Sequence, residues 1–244
     1  MFCQQDRKHG RYFRMTEHIH EPKRRFIIIP RYVIFDTNCF INDLSSIMKY
    51  VHSKQPSSFI VTVPLIVVQE LQSMMARGER LNNITSEDIK IDEQQELKHK
   101  QLAKKSSEIL DFLHKAFDSN MSNIRAITSK GSLLDRIDYK EESYNNLDPT
   151  NNDDLILYGC INLVEKDRHT NNEQIDDKWM HTLLKDAGEQ HLTNQDEFIY
   201  RDVILITDDM NLRIKSLGYD VPVKKFKQFR KWANTLEHHR QPST

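Results

Sequence analysis

Three apolar, β-branched runs in this chain pass directly into segments of helical period, and that alternation limits the fold more than any other feature. The run FIIIPRYVIFD at 26–36 reads as a buried strand. Pro30 cannot donate to a ladder, so the usable strand is expected to start near Tyr32. It is followed by Phe40, Ile41, Leu44, Ile47, Met48 and Val51, spaced by threes and fours as on an amphipathic helix. FIVTVP then leads into LIVVQELQSMMARG, a helix expected to stop near Gly78. VILIT at 203–207 is closed by Asp208 and Asp209 and followed by MNLRIKSLG, with Gly218 at its end. Strands alternating with helices predict an α/β fold: a central parallel sheet with right-handed crossovers and helices on both faces.

Weaker signals fill in the rest. A long helix is expected from about 98 to 117, a short strand at 124–128, and a helix from Asn152 or Asp153 through LILYGCINLVEK. DVPVK reads as an edge strand and FKQFRKWAN as a basic amphipathic helix whose aromatic residues face the core. Polar insertions are expected near 79–97 and 167–201, and residues 129–151 are mostly irregular. With 244 residues and 38% hydrophobic content, the chain can build one sizeable core. The expected organisation is a flexible basic arm at 1–25, one domain at 26–236 and a tail at 237–244.

Several function classes are disfavoured by composition. The longest apolar run, 59–68, is broken by Thr62 and Pro64 and falls short of the roughly 20 apolar residues that span a bilayer, so no membrane association is expected. The polar, basic first residues do not read as a secretory signal, and three cysteines without a CxxC pair suit a reducing compartment. An intracellular protein, cytoplasmic or nuclear, is therefore expected. Neither the cysteines nor the histidines near the termini have zinc-site spacing. A net charge of −1 argues against coating a polyanion by bulk charge, so any nucleic-acid binding must be local or carried by a metal.

Acids recur where such a sheet gathers function, at the carboxyl ends of its strands. Asp36 ends the first strand, Asp208 and Asp209 close the strand at 203–207, and Asp153 and Asp154 open a helix. Glu70 lies in the first turns of the helix after the second strand. Each has a plain alternative: the aspartates stand where a helix wants an N-cap, and Glu70 suits a solvated helix position. Capping alone does not need the doubled carboxylates in NNDD and TDD, and the recurrence at three junctions favours a joint role. Carboxylates brought together repel unless a cation intervenes, and oxygen-only ligands select hard ions, Mg²⁺ or Mn²⁺.

These motifs resemble those of the PIN-domain nucleases: Asp36-Thr37-Asn38 at a strand end, Glu70 in the second helix, Asn152-Asp153-Asp154-Leu155-Ile156 at a helix start, and Thr207-Asp208-Asp209. The stretches YVIFDTNCFINDL, VPLIVVQELQSM, AITSKGSLL, NNDDLIL and VILITDDMNLRIKSLGYDVPV are most similar to the branch of the family that acts in nonsense-mediated mRNA decay. The resemblance implies a divalent-metal-dependent endoribonuclease cutting single-stranded RNA in mRNA decay or quality control, with RNA-decay proteins as partners. It implies Asp36, Asp153 and Asp209 as metal ligands and Glu70 as a fourth catalytic acid. Asn38, Thr207, Asp208 and Asp154 would stand behind them, orienting carboxylates or water. Where the family often has a further acid after the helix glutamate, this chain has Gln72. The helical-repeat region that precedes the domain in that branch is not in this sequence, so either a piece of a longer protein or a stand-alone relative is expected.

Lys130, Arg213, Lys215 and Lys224 lie on segments leading away from the acids, and they are expected either to track RNA phosphates or to form an ordinary solvated face. Two other functions compete with the nuclease. A catalytically silent PIN scaffold would recruit decay factors, although crowded like charges would bring it no benefit. A different metal phosphohydrolase or a flap nuclease could share the sheet, but no DxE follows the first strand and no helix-hairpin-helix glycine motif is visible.

Overall fold

Strand β1 (Arg25–Phe35) lies inside a six-stranded sheet, where a continuous apolar run is required because both faces are covered. The computed structural model describes residues 25–53, 59–82, 93–138, 151–170 and 198–239. By Cα packing the chain divides into a unit of Met1–Phe26 with Asp176–Ile199 and another of Ile27–Ile175 with Tyr200–Thr244. The first is described only at the outer ends of two strands. The second holds the core and the candidate site.

After β1 come α1 (Thr37–Val51), β2 (Ile60–Pro64), α2 (Leu65–Asn82), α3 (Glu93–Asp118), β3 (Ile124–Ile127) and β4 (Leu133–Leu134). They are followed by α4 (Asn152–Thr170), β5 (Phe198–Ile206), α5 (Met210–Gly218), β6 (Val223–Lys224) and α6 (Phe226–His239). The strand order is β4-β3-β2-β1-β5-β6. β1 pairs with β2 in parallel from Tyr32 opposite Ile60, β2 with β3 from Val61 opposite Ile124, and β5 with β6 at Leu205 opposite Val223. β4 runs antiparallel to β3, with Leu134 opposite Ala126. It falls in a stretch expected to be irregular, since two residues are too few to show a period.

The chain steps outward from β1 to β2 and β3, then returns to the other side of β1 for β5 and β6. Connections leaving the carboxyl ends of β1 and β5 therefore diverge, which opens the crevice where doubly wound sheets place their ligands. α1, α2 and α3 pack on one another, α4 packs on α5, and α2 also meets α4.

Several boundaries differ from the sequence reading for local physical reasons. Pro30 lies inside β1, but pairing with β2 begins only at Tyr32, so its missing N–H breaks no bond of that ladder. α2 runs past Gly78 to Asn82. The glycine is there for packing: a Cβ on it would stand 2.3 Å from the Cβ of Ala103 on α3. Gly218 ends α5 without a positive φ, and the left-handed turn is taken two residues later by Asp220 at φ 55. α3 starts at Glu93, inside the first expected insertion. Most of the second insertion and the arm at 1–24 lie outside the described residues.

The core is completed by α6. Phe226 and Phe229 are buried as expected, and the Phe229 ring lies 5.4 Å from Phe35, 5.4 Å from Phe59, 5.6 Å from Tyr50 and 5.7 Å from Trp232. Among the described residues no helix is long and apolar enough to cross a membrane.

Candidate active site

Asp36 follows the last residue of β1 and is only 3% exposed. Its backbone N–H donates to Ile206 O of β5 at 3.2 Å, which joins the two strand ends across the switch point. The side chain caps α1: Oδ1 accepts from Cys39 N at 2.8 Å. Oδ2 accepts from the Thr207 hydroxyl at 2.5 Å. Burial raises the Asp36 pKa, opposed by the bonds from Cys39 and Thr207, while Asp208 raises it further. The neighbouring Cys39 thiol donates to Ile206 O at 3.3 Å and is pushed far up by burial, which leaves it unsuited to act as a thiolate.

Asp209 caps α5, with Oδ1 accepting from Leu212 N at 2.9 Å, and its own N–H donates to Thr207 Oγ1 at 3.0 Å. Thr207 is fully buried and so connects two acids, one through its hydroxyl proton and the other through its oxygen. Asp208 is exposed. The capping and joint-site readings of Asp36 and Asp209 are thus compatible, because a strand end that opens a helix in a parallel sheet lies at the crevice.

At the start of α4 the cap is Asn151, not Asn152 or Asp153. Its Oδ1 accepts from Asp153 N at 3.0 Å and its carbonyl from Asp154 N at 3.1 Å. Asp153 and Asp154 stand in the first turn, each half-buried and without capping duty. The loop after β3 seats this helix. Gly131, at φ 70, lies so near α4 that a Cβ would meet the Asn162 and Leu163 backbone at 2.6 Å, and Asn162 Nδ2 donates to Ser129 O at 2.7 Å.

Glu70, half-buried on α2, reaches both other elements: Oε2 accepts from the hydroxyl of Thr37, and Oε1 from Asn152 Nδ2 at 2.6 Å. Neither Thr37 nor Asn152 was singled out for this from sequence. The available signal was their position, one residue after Asp36 and one before Asp153.

The electrostatics draw the set together. Asp153 is held above the usual carboxylate range by burial first, then by the carboxylates of Asp209 and Glu70, opposed by Lys215, with Asp36 adding a last increment. Asp153 thus lies within electrostatic reach of acids from three other segments. Among the described residues no group of three His, Cys, Asp or Glu stands in an arrangement that would hold a metal ion. In donor chemistry the set fits a hard divalent cation: it is all oxygen, and its mutual repulsion is what such an ion relieves.

The outer residues divide. Lys215 Nζ donates to Asp154 Oδ1 at 2.6 Å, and that bond holds its pKa up, so this ammonium is engaged with an acid of α4. Lys130 and Lys224 are exposed, Arg213 is half-buried, and Asn38 is exposed at the first turn of α1.

A family profile described as the PIN domain matches residues 33–227, most of the chain and all of the acids described above. The chain belongs to the PIN-domain family. It is also 31% identical over 204 residues to a protein of Danio rerio named Telomerase-binding protein EST1A, a match covering 84% of this chain and 11% of that protein. PIN domains are generally nucleases and typically use divalent metals, and a nuclease or RNA-related role follows at family level. In PIN-domain terms, the family match spans the two strand ends and two helices that carry Asp36, Glu70, Asp153 and Asp209.

Proposed function

We propose that this PIN domain is an endoribonuclease that hydrolyses phosphodiester bonds of single-stranded RNA with Mg²⁺ or Mn²⁺, in mRNA decay or quality control beside RNA-decay proteins. The observation that supports this most is the bonding between the acid-bearing segments: Thr207 joins Asp36 to Asp209, and Glu70 holds Asn152 beside Asp153. Asp36, Asp153 and Asp209 would hold the ion, with Glu70 as the fourth acid. A bound ion would neutralise the scissile phosphate, activate water and stabilise the leaving oxygen.

The chain's own groups prepare that site. Thr207 and the Cys39 N–H fix the rotamer of Asp36, and the helix caps fix Asp36 and Asp209 before substrate arrives. Lys130, Arg213 and Lys224 are the cations we assign to the RNA backbone; Lys215 joins them only by sharing its bond with Asp154. Nothing in the sequence resembles a base-reading module, so target choice falls to partners.

The test is incubation of the purified chain with circular single-stranded RNA in Mn²⁺, with and without EDTA, beside Asp36→Asn. Internal cuts are expected that need the metal and vanish in the variant. Undiminished cutting by Asp36→Asn removes that residue from the mechanism, and no cutting by either protein favours a scaffold that recruits decay factors.

A further inference from the structure

We propose that Glu70 is a positioning residue: its carboxylate ties the start of α4, and with it Asp153, to the end of β1 that carries Asp36. The inference rests on the nuclease reading above and separates Glu70 from the three aspartates in kind. Both of its oxygens are engaged, one by Thr37 and the other by Asn152 at 2.6 Å. These donors come from α1 and α4, and they flank two of the proposed ligands in sequence. A carboxylate is the side chain that can accept from a hydroxyl and an amide at once while donating to neither.

The arrangement around Asp153 gives the tie its purpose. Asn152 binds Glu70 of α2, and Asp154 binds Lys215 of α5 at 2.6 Å. The first turn of α4 is therefore moored on both sides, with Asp153 between the moorings. Asn151 already caps the helix, so Asn152 is released from that task. Each Glu70 oxygen accepts one bond from a neighbouring segment, so both serve the mooring of the helix that presents Asp153.

The roles of ligand and mooring predict different responses to Glu70→Gln. Glutamine keeps an acceptor for Asn152 and can donate to the Thr37 oxygen if that hydroxyl turns, yet it removes the negative charge. Mn²⁺ affinity measured by calorimetry on the full chain should fall less in Glu70→Gln than in Glu70→Ala. It should fall about tenfold or more in Glu70→Ala and in the Thr37→Val, Asn152→Ala double variant. Adding Glu70→Ala to that double variant should cost little more, because the three side chains act as one unit. RNA cutting should follow the same order.

A Glu70→Gln loss as large as that of Asp153→Asn makes Glu70 a ligand and overturns the proposal, as do additive losses along the series. If the wild type binds no Mn²⁺ and cuts no RNA, the metalloenzyme reading fails by itself. The mooring is then judged from thermal unfolding: non-additive shifts in Glu70→Ala and Asn152→Ala uphold it, and additive ones overturn it.

Discussion

A buried carboxylate survives at Asp36 because donors meet both of its oxygens, and Thr207 is the donor that came from farthest away. Thr207→Val keeps the shape and removes one hydroxyl. It should cost about 1–3 kcal/mol in urea unfolding, the cost of leaving a buried acceptor unmet. It should also slow RNA cutting about 10–100-fold, the usual effect of removing a group that orients a metal ligand. Asp153, like Asp36, is held above the ordinary carboxylate range in the folded chain. Burial and the carboxylates of Asp209 and Glu70 hold its folded pKa above the ordinary 3.8, so the folded chain grips that proton more tightly than the unfolded chain. The stabilisation this brings is complete below 3.8 and is lost as pH rises through the higher folded value. Asp153→Asn should therefore raise the Tm of the metal-free protein at pH 7, and its advantage should shrink as the pH falls toward 4. A lower Tm at pH 7, or a gain that persists in acid, would contradict this. The acids themselves were legible in the sequence as carboxylates at strand ends and in the first turns of helices. Thr37 and Asn152 were not, because a hydroxyl or amide acquires such a role only when a partner 33 or 82 residues away comes within reach.

Helix α2 shows how an element can obey a neighbour over its own propensity. Glycine in a helix interior is costly, about 1 kcal/mol against alanine, and Gly78 reads locally as a stop. Its Cα instead faces Ala103 of α3 at a distance that admits no methyl group. Gly78→Ala should therefore destabilise by about 1–2 kcal/mol in chemical unfolding despite its better propensity, since overpacking outweighs the gain. The added change Ala103→Gly should recover much of the loss. Stabilisation by Gly78→Ala alone would show that α2 and α3 stand farther apart. Strand cores and amphipathic helices were readable because their periods repeat over several residues. β4, two residues long, had no period to read, and the true start of α3 was hidden by a polar first turn.

Across the whole molecule, the C-terminal helix α6 closes the core over β1. The Phe229 ring meets Phe35 of β1, Tyr50 of α1 and Phe59 before β2, so residues from widely separated segments depend on it. Phe229→Ala should cost about 3–5 kcal/mol, measured as a shift in the urea midpoint with the slope unchanged. A loss below about 1 kcal/mol would mean that α6 is an appendage. The sequence alone determined the layered α/β class, since only a parallel sheet satisfies alternating buried strands and one-faced helices. It also led to the expectation that acids meet at one end of the sheet, because parallel strands all end on the same side. Tertiary structure decided which strand ends touch. That β5 lies beside β1, bringing Thr207 to Asp36 across 171 residues, follows from the order of strands. Strand order is settled by competition among packings of the complete core, a quantity that no local run of residues contains.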